Sequence, residues 1–423
     1  MGIGALAGVG GWRGMYARHR LDISVEDIAF GVLSYSRRLK REKLEGEILR
    51  LCSLEEEGLV CFSVRSGWDL WLGAQGLRAG DEVLVSAVTH PDMVRIISEH
   101  GLRAIPVDID PGTLTPRPCM LEAAFTPRTR VVLVAHLFGG RMDLGGVAKF
   151  ARDRGLLLVE DCAQAFKGLE RMGDPLADVS MYSFGTLKTS TALGGAILRV
   201  RDREVLDRMR WIQASYPSQG RRGYLKKLLK VLGLVAVSRP GLYGLLARAC
   251  RRLGSDLDAL VSGVVRGFPP REPATMFLWR LRHRPSAPLL AMLSRRLRTF
   301  DGERLARRAY TGERFARRLR VVDVHPGQRS LQRTHWLFPV VVEDPESLVA
   351  SLRRRGLDAS QATSSIAVVE APAGRTSPAE ASLMMSAVVF LPVYQELPAQ
   401  AFDVMAGLVN DCAARVAAES VAL

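Results

Sequence analysis

One lysine stands out among the residues that could do chemistry, because lysine is rare in this chain. Of the 59 basic side chains only eight are lysines. Lys188 follows Ser183 by five residues, and a glycine pair, Gly194–Gly195, and a strand-like run come after it. A lysine amine can form a Schiff base with a carbonyl compound, and a nearby serine hydroxyl can bind phosphate. A lone loop lysine is usually just solvated, so the hypothesis depends on other features.

Two turns earlier in the chain could contribute binding groups. Ser66-Gly67-Trp68 comes after an apolar run and before a helix-like segment, 68–77, so it could offer backbone N–H groups to an anion, although a plain tight turn is the more common explanation of such a pattern. In Thr89-His90-Pro91, His90 offers a flat ring that could stack on a bound aromatic molecule. A lone histidine is more often structural, so neither turn is decisive alone.

A third segment ends an apolar strand in two carboxylates, Glu160 and Asp161, and continues to Gln164. A buried carboxylate needs a partner. Asp161 beside a protonated pyridine nitrogen would form a charge-assisted hydrogen bond that keeps the ring electron-withdrawing. The two acidic residues could instead cap the next helix. The spacing alone leaves both interpretations open.

The elements that must position these residues alternate between strand-like and helix-like patterns from residue 59 to residue 200, which predicts an α/β fold with a mainly parallel sheet. Each candidate residue lies just after a predicted strand. Parallel sheets bind ligands at the carboxyl ends of their strands. The predicted strands are 82–85, 104–107, 131–135, 156–159, 179–183 and 196–200; helices are predicted over 91–99 and 143–154.

The charge and composition of the chain change near Trp211. Residues 211–330 contain 25 Lys+Arg and seven Asp+Glu, although the whole chain carries only +15. Two stretches between residues 224 and 253 combine basic and apolar residues, and their apolar runs are shorter than the roughly 20 residues that span a bilayer. They could lie on an anionic membrane surface, or pack on the core or on a partner subunit. Charge alone would also suit nucleic acid, but no binding signature is recognisable, so we expect no nucleic-acid partner.

The remaining segments predict the domain organisation. We expect an N-terminal helical segment over 1–58, a large domain over 59–210, a basic apolar helical insertion over 211–300 and a smaller C-terminal α+β domain over 301–423. Within the last part the patterns predict one helix from about 291 to 320, strands at 336–342 and 387–391, and helices at 345–355 and 398–418.

Six scattered cysteines without a C-x-x-C pair predict no disulfide framework and no metal site. The glycine-rich start lacks a secretory pattern, so a cytoplasmic location is expected, peripheral to the inner membrane face if the insertion binds lipid.

Taken together, these motifs resemble the DegT/DnrJ/EryC1/StrS family, the fold-type-I sugar aminotransferases. The matching words include SGWDLWLGAQGLRAGDEVLV, LVEDCAQAF and YSFGTLKTSTALGGAI, and HWLFPVVV and FLPVYQELP resemble the closing segments. The resemblance covers most of the chain outside residues 211–300. It implies a fold-type-I large domain with a smaller C-terminal domain and pyridoxal 5'-phosphate as the cofactor.

The resemblance also implies roles for individual residues. Lys188 matches the catalytic lysine that binds the cofactor covalently and moves the substrate proton. Asp161 matches the partner of the pyridine nitrogen, and Gln164 the residue that faces the ring hydroxyl. Further cofactor contacts match the phosphate cup and the stacking position: Ser183, Ser66, Gly67 and Trp68 for phosphate, and His90 for stacking.

Three departures from the family pattern concern residues that contact the cofactor in the family. Trp68 replaces the usual threonine, His90 replaces an aromatic residue, and the asparagine stretch that reaches the neighbouring subunit has no clear match. The resemblance implies a homodimer that moves nitrogen from an amino donor, L-glutamate, to a keto sugar or related carbonyl compound. Dehydratase chemistry on the same fold and a non-catalytic regulator or scaffold are the alternatives. Lys188 argues against the dehydratase, and the complete set of Asp161, Gln164, Ser183 and Lys188 argues against the non-catalytic relative.

Overall fold

The computed structural model describes residues 14–170, 172–254, 273–320, 325–361 and 366–421. Parts of the predicted N-terminal segment (1–13) and of the predicted insertion (255–272) therefore lie outside the described residues. The strands in chain order are β1 Gly58–Cys61, β2 Glu82–Ser86, β3 Val88–Thr89, β4 Arg103–Val107, β5 Thr129–Ala135, β6 Gly140–Arg141, β7 Leu157–Asp161, β8 Val179–Ser183, β9 Ala196–Val200, β10 Gln332–Arg333, β11 Phe338–Val341, β12 Ala367–Val368 and β13 Val388–Leu391.

The helices surround a large sheet and a small one. In chain order they are α1 Val25–Ser36, α2 Arg41–Leu51, α3 Val64–Ala74, α4 Pro91–Glu99, α5 Pro118–Ala124, α6 Gly145–Asp153, α7 Arg203–Ala214, α8 Arg221–Val237, α9 Pro240–Arg252, α10 Ala274–Leu281, α11 Ala287–Arg298, α12 Gly302–Ala316, α13 Pro345–Arg354, α14 Ala379–Ala387 and α15 Ala399–Val421.

The large sheet has seven strands in the order β1-β9-β8-β7-β5-β2-β4. Five neighbouring strands, from β8 to β4, pair in parallel, and β9 alone runs against its two neighbours. β1 consequently runs in the same direction as the parallel strands. The carboxyl ends of β1, β2, β7 and β8 therefore lie at one edge of the sheet, where the sequence predicts the binding residues. The six predicted strands of the large sheet are confirmed.

Two predicted helices have different bounds in the structure. The helix expected from about 291 to 320 is two helices, α11 and α12, because the Asp301 side chain accepts the N–H of Arg304 at 2.9 Å and begins a new helix. The helix expected from Trp68 begins four residues earlier, at Val64, because the Ser63 side chain caps it there. Both errors come from overlooked capping residues.

After residue 330 the chain forms a small antiparallel pair, β11 and β13, with α13 and α15 packed on it. Phe315 of α12 contacts Phe338 of β11 edge to face with ring centroids 4.9 Å apart, so the long helix α12 joins this unit to the rest of the molecule. The predicted strands and helices of this unit are confirmed to within a few residues.

Helices α8 and α9 pack on the core through one face each. Tyr224, Leu228 and Val231 of α8 are buried in the cluster that also contains Phe184 of the Lys188 loop. Among the described residues no single helix is long and apolar enough to span a membrane. α8 and Pro240–Cys250 reach that length and composition only as a pair, across a bend of 96°.

Candidate active site

The loop that carries Lys188 is held at both ends by backbone hydrogen bonds. The Phe184 carbonyl accepts the N–H groups of Ala192 and Gly194, and Gly195 N donates to the Phe62 carbonyl, all within 3.0 Å. Gly195 has φ +84, and a Cβ there would lie 3.3 Å from the Leu293 side chain. The predicted glycine pair is therefore needed for the return of the chain into β9.

Lys188 places its amine in a buried position between an aromatic ring and a carboxylate. Nζ lies 4.3 Å from the centroid of the Trp336 ring, and the indole N–H donates to the Leu187 carbonyl at 2.9 Å. Burial lowers the pKa of Lys188 to about 8, with Asp161 raising it and Arg65 lowering it further. An amine with this pKa is a far better nucleophile at neutral pH than a solvated lysine.

Asp161 ends β7 and faces the lysine from the buried side of the site. Its Oδ1 accepts the N–H of Ala163 at 2.8 Å, and burial raises the pKa of its carboxyl group, while Lys188 and His136 lower it. The carboxylate is 7% exposed and is therefore costly without a cation or donor nearby. A protonated ring nitrogen is the type of partner that this position calls for.

A buried network behind Asp161 fixes the end of β7. His136 Nδ1 accepts the N–H of Met142, so Nε2 carries the proton and donates to Glu160 at 2.9 Å. Glu160 also accepts from the Ser180 hydroxyl, and despite burial these partners lower its pKa to about 2. His136, Glu160 and Cys162 lie close enough to hold a metal ion. However, burial raises the pKa of the Cys162 thiol well above its ordinary value, whereas metal ligands are thiolates.

Two predicted cofactor ligands lie at the same edge. Gln164 Oε1 accepts the N–H of Phe138 at 2.8 Å, which directs the amide nitrogen away from that backbone and leaves it available as a donor. Ser183 ends β8 and is half-buried, and its hydroxyl makes only a long contact of 3.4 Å with Gly185 N. Both side chains can therefore reach a bound molecule without breaking a strong internal bond.

The first turn of α3 differs from the predicted phosphate cup. Ser66 N and Gly67 N donate to Ser63 itself, to its hydroxyl at 3.1 Å and to its carbonyl at 3.0 Å. The predicted backbone donors are thus already occupied. Instead the turn presents two hydroxyls, of Ser63 and Ser66, 2.9 Å apart, and also carries Arg65, whose guanidinium pairs with Asp92 at 2.5 Å. These groups, at the positive end of a helix, can bind an anion.

Trp68 belongs to the hydrophobic core rather than to the binding site. It is completely buried, stacks on Trp71 with centroids 5.3 Å apart, and donates its indole N–H to the Met93 carbonyl at 3.2 Å. The prediction that Trp68 contacts the cofactor is therefore wrong for its side chain. It failed because the helix begins earlier than predicted, which turns this position inward.

His90 caps α4 and keeps a neutral ring. Its Nδ1 accepts the N–H of Asp92 at 3.1 Å, and burial together with Arg65 lowers the pKa of His90 to about 4, although Asp92 raises it. The ring is half-buried, and its electrostatic coupling to Lys188 places it on the same side of the sheet. Stacking on a bound ring stays a prediction.

A cavity of about 330 Å³ opens beside Lys188. Its walls come from the N-terminal segment 18–24, the first turns of α12 and the residues around Trp336 and Tyr394. Its lining has more cations than carboxylates: Arg18, Arg20, Lys188, Arg304 and Arg308 against Asp22, Asp301 and Glu396. The cavity therefore favours an anionic molecule.

Arg308 is the cation of this cavity that is fixed next to the lysine. Its Nη2 donates to the hydroxyl of Thr189, the residue after Lys188, at 3.2 Å, and its Nε donates to the Thr334 carbonyl at 2.9 Å. Burial lowers its pKa to about 10. No carboxylate lies within 4 Å of this guanidinium in the described part of the chain.

Sequence reasoning missed Ser63, Arg65, Arg308 and Trp336. Ser63 carries a signal, since serine is a preferred residue at the start of a helix. Arg308 and Trp336 come from distant parts of the chain and are indistinguishable by pattern from other residues in a basic helix and an apolar strand.

Comparisons with known proteins agree with this geometry. Residues 36–234 match the model of the DegT/DnrJ/EryC1/StrS aminotransferase family. A pleiotropic regulatory protein of Geobacillus stearothermophilus is 32% identical over 176 residues, 41% of this chain and 47% of the relative. The L-glutamine:2-deoxy-scyllo-inosose aminotransferase of Streptomyces fradiae is 36% identical over 155 residues, 35% of this chain and 36% of the relative. The chain thus spans less than half the length of these curated relatives.

The fold match extends over nearly the whole chain. The aminotransferase TlmJ from Streptoalloteichus hindustanus superposes with a TM-score of 0.68 at 21% identity, covering 95% of this chain and 100% of that structure. The predicted fold class, a fold-type-I large domain with a mainly parallel sheet, is confirmed. The match to the DegT/DnrJ/EryC1/StrS aminotransferase family covers residues 36–234, just under half of the chain, whereas the fold match extends along nearly all of it.

Proposed function

We propose that the protein is a pyridoxal-phosphate-dependent aminotransferase that moves an amino group from L-glutamate to a keto sugar or related carbonyl compound in nucleotide- or lipid-linked form, and that it works as a homodimer. The observation that carries the proposal is the buried amine of Lys188, with its pKa lowered to about 8, facing the buried Asp161 carboxylate. A nucleophilic amine opposite a carboxylate, at the carboxyl edge of a parallel sheet, suits an aldehyde cofactor with a basic ring nitrogen.

The residues present fit this cofactor group by group. Asp161 offers a carboxylate to the ring nitrogen, and Gln164 offers an amide donor to the ring hydroxyl. The hydroxyls of Ser63, Ser66 and Ser183 and the Arg65 guanidinium offer donors to a phosphate. When bound, the cofactor supplies the electron sink that stabilises negative charge on the substrate carbon.

Lys188 holds and moves the proton. With the cofactor bound, the Lys188 amine would accept the proton of the carbon that bears the donor nitrogen. Its pKa of about 8 makes Nζ a base at neutral pH that can also return the proton. The Trp336 ring fixes the direction of Nζ, because its own N–H is tied to the Leu187 carbonyl.

Arg308 is placed to bind the carboxylate of the amino donor. A donor amino acid carries its carboxylate on the carbon that reacts at Lys188, and the guanidinium is hydrogen-bonded to Thr189, the adjacent residue. A guanidinium binds a carboxylate through two parallel hydrogen bonds, which fix orientation as well as position. The cavity then leaves its outer part, lined by Arg18, Arg20 and Arg304, for an anionic group of the acceptor.

The visible absorbance of the purified protein, before and after L-glutamate, tests the proposal. We expect a cofactor band in the wild type that shifts with L-glutamate and is lost in Lys188→Ala. Lys149→Ala, which removes an exposed lysine, is the matched control and should behave like the wild type.

No band after added pyridoxal phosphate would overturn the proposal and leave the non-catalytic alternative. A band that does not respond to L-glutamate would overturn the assignment of L-glutamate as the amino donor. Release of water from the substrate without transfer of nitrogen would point to dehydratase chemistry instead.

A further inference from the structure

Helices α8 and α9 expose leucines and basic side chains side by side on their outer faces. Leu229 and Leu245 are 55% and 56% exposed, and Leu232 and Leu242 are also exposed. We call these outer faces the α8–α9 surface; its exposed members are Arg222, Lys226, Leu229, Lys230, Leu232, Leu242, Leu245, Arg248 and Arg252. Single exposed leucines are common on protein surfaces, and it is the grouping of four of them on two consecutive helices that calls for an explanation.

The charge of this surface is unbalanced in sequence and in space. Residues 208–255 contain eleven Lys+Arg and no Asp or Glu. In the described part of the structure no carboxylate lies within ion-pair distance of a basic residue of α8 or α9. Some exposed cations elsewhere on the molecule do have carboxylate partners, such as Lys149 with Asp153 and Arg203 with Glu56.

The inner faces already account for the packing of both helices. The Tyr224 hydroxyl donates to the Ala192 carbonyl at 3.0 Å, and Leu228 is in contact with Gly31 of α1. On α9 the Tyr243 hydroxyl donates to Asp358 at 2.8 Å. The helices are therefore anchored, and their outer faces remain available for a partner.

We propose that the α8–α9 surface binds an anionic lipid bilayer peripherally. Leucines beside lysines and arginines are the composition of helices that lie in a membrane interface, with leucines among the acyl chains and cations at the headgroups. The 96° bend between the helices fits a surface contact rather than a crossing. Nucleic acid would satisfy the cations but leave the leucines in water.

A second copy of the chain is the competing occupant, and the charges disfavour it. A two-fold interface places the same surface of both copies face to face. Here that would oppose two sets of unpaired cations in the absence of a carboxylate on either helix. A bilayer that contains anionic lipid supplies the missing negative charge.

The proposal also connects the surface to the site. Ala192, which accepts the hydrogen bond from α8, lies four residues after Lys188. One helix diameter, about 10 Å, would then separate the lipid headgroups from the loop that carries the lysine.

Vesicle co-sedimentation of the full-length holoprotein tests the proposal. We expect no binding to phosphatidylcholine alone, and binding to vesicles with about one third phosphatidylglycerol that weakens at about 1 M NaCl, where the screening length falls to about 3 Å. Each cation near an anionic surface contributes about a fivefold gain in binding, so Arg222→Gln/Lys226→Gln/Lys230→Gln should weaken binding by at least about tenfold.

Two further variants separate the contribution of the leucines from that of the overall charge. Leu229→Ser/Leu232→Ser/Leu245→Ser should also lose binding, whereas Arg307→Gln/Arg314→Gln/Arg317→Gln, which removes the same charge from the exposed face of α12, should not. Circular dichroism and light scattering of each variant report fold and assembly state.

Wild-type protein that does not bind the anionic vesicles would overturn the proposal. If the α12 variant lost as much vesicle binding as the α8 charge variant, the attraction would be non-specific, and the proposal would be overturned too. Leucine variants that convert a dimer to a monomer would assign the surface to a second copy of the chain.

Discussion

The carboxyl edge of the large sheet and the α8–α9 surface differ in whether their cations have carboxylate partners. At the sheet edge Lys188 faces Asp161, and Arg65 pairs with Asp92 at 2.5 Å. On α8 and α9 the basic residues have no such partners among the described residues. Burial explains the difference, because a cation taken out of water needs a partner within the protein, whereas an exposed one can remain solvated or await an external anion.

The comparison also shows what each region can do. At the sheet edge burial lowers the pKa of Lys188 to about 8 and raises the pKa of Asp161, although the charge of each group partly offsets the shift of the other, and pKa values shifted in this way suit proton transfer. The exposed cations of α8 and α9 can supply only attraction. The first region is therefore suited to chemistry and the second to docking.

Asp161→Asn would break the balance at the sheet edge and should have the largest effect. The amide keeps the shape but cannot hold a protonated ring nitrogen, so turnover should fall on the order of 100-fold, the value of a charge-assisted hydrogen bond of about 3 kcal/mol. Single-turnover absorbance measurements with L-glutamate would check this. Asp153→Asn, at an exposed surface pair, is the control, and equal turnover in both variants would contradict the assignment.

Leu228→Ala and Leu229→Ser would separate the two faces of α8. Leu228 is fully buried against Met292 and Gly31, so its truncation should lower the free energy of unfolding by about 3 kcal/mol. The exposed Leu229 should change it by less than about 0.5 kcal/mol. Urea unfolding measures both, and a large loss from Leu229→Ser would mean that the outer face is packed after all.

Arg308→Gln would test whether the buried cation next to Lys188 binds the donor. The KM for L-glutamate should rise by about tenfold or more, since a hydrogen-bonded charge pair contributes about 1.5–3 kcal/mol. Arg308→Lys should retain part of the affinity because it keeps the charge. Arg307→Gln on the exposed side of α12 should leave KM unchanged. A rise in the KM for the acceptor alone would show that Arg308 binds the acceptor and not the amino donor.

The pH dependence of cofactor capture would sharpen the account of Lys188. Only the neutral amine reacts, so the rate at which apoprotein captures pyridoxal phosphate should rise with pH and reach half its maximum near pH 8. Arg65 lowers this pKa, so Arg65→Gln should move the midpoint to higher pH. Arg103→Gln, exposed on β4, should not move it. A midpoint near that of an ordinary lysine would show that Nζ is solvated.

Much of the site was predictable because its residues follow strands of strong apolar pattern. Lys188, Asp161, Gln164 and Ser183 come directly after β7 or β8, and parallel strands place their carboxyl ends together. Trp68 was expected at a helix start, but the Ser63 cap starts the helix at Val64, so Trp68 lies within it and its side chain packs in the core. Arg308 and Trp336 could not be found, since no local pattern shows that segments more than 100 residues away contact Lys188.

The amino-acid sequence by itself determined the order of the strands and helices, the resemblance to an aminotransferase family over residues 36–234 and the chemical types at the sheet edge. These follow from periodicity, turn residues and short motifs, all of which act between near neighbours in the chain. Only the tertiary structure decided which cations are paired, which leucines are exposed and which amine has a lowered pKa. Burial and electrostatic interaction depend on distances in space, and distant segments set those distances when they pack.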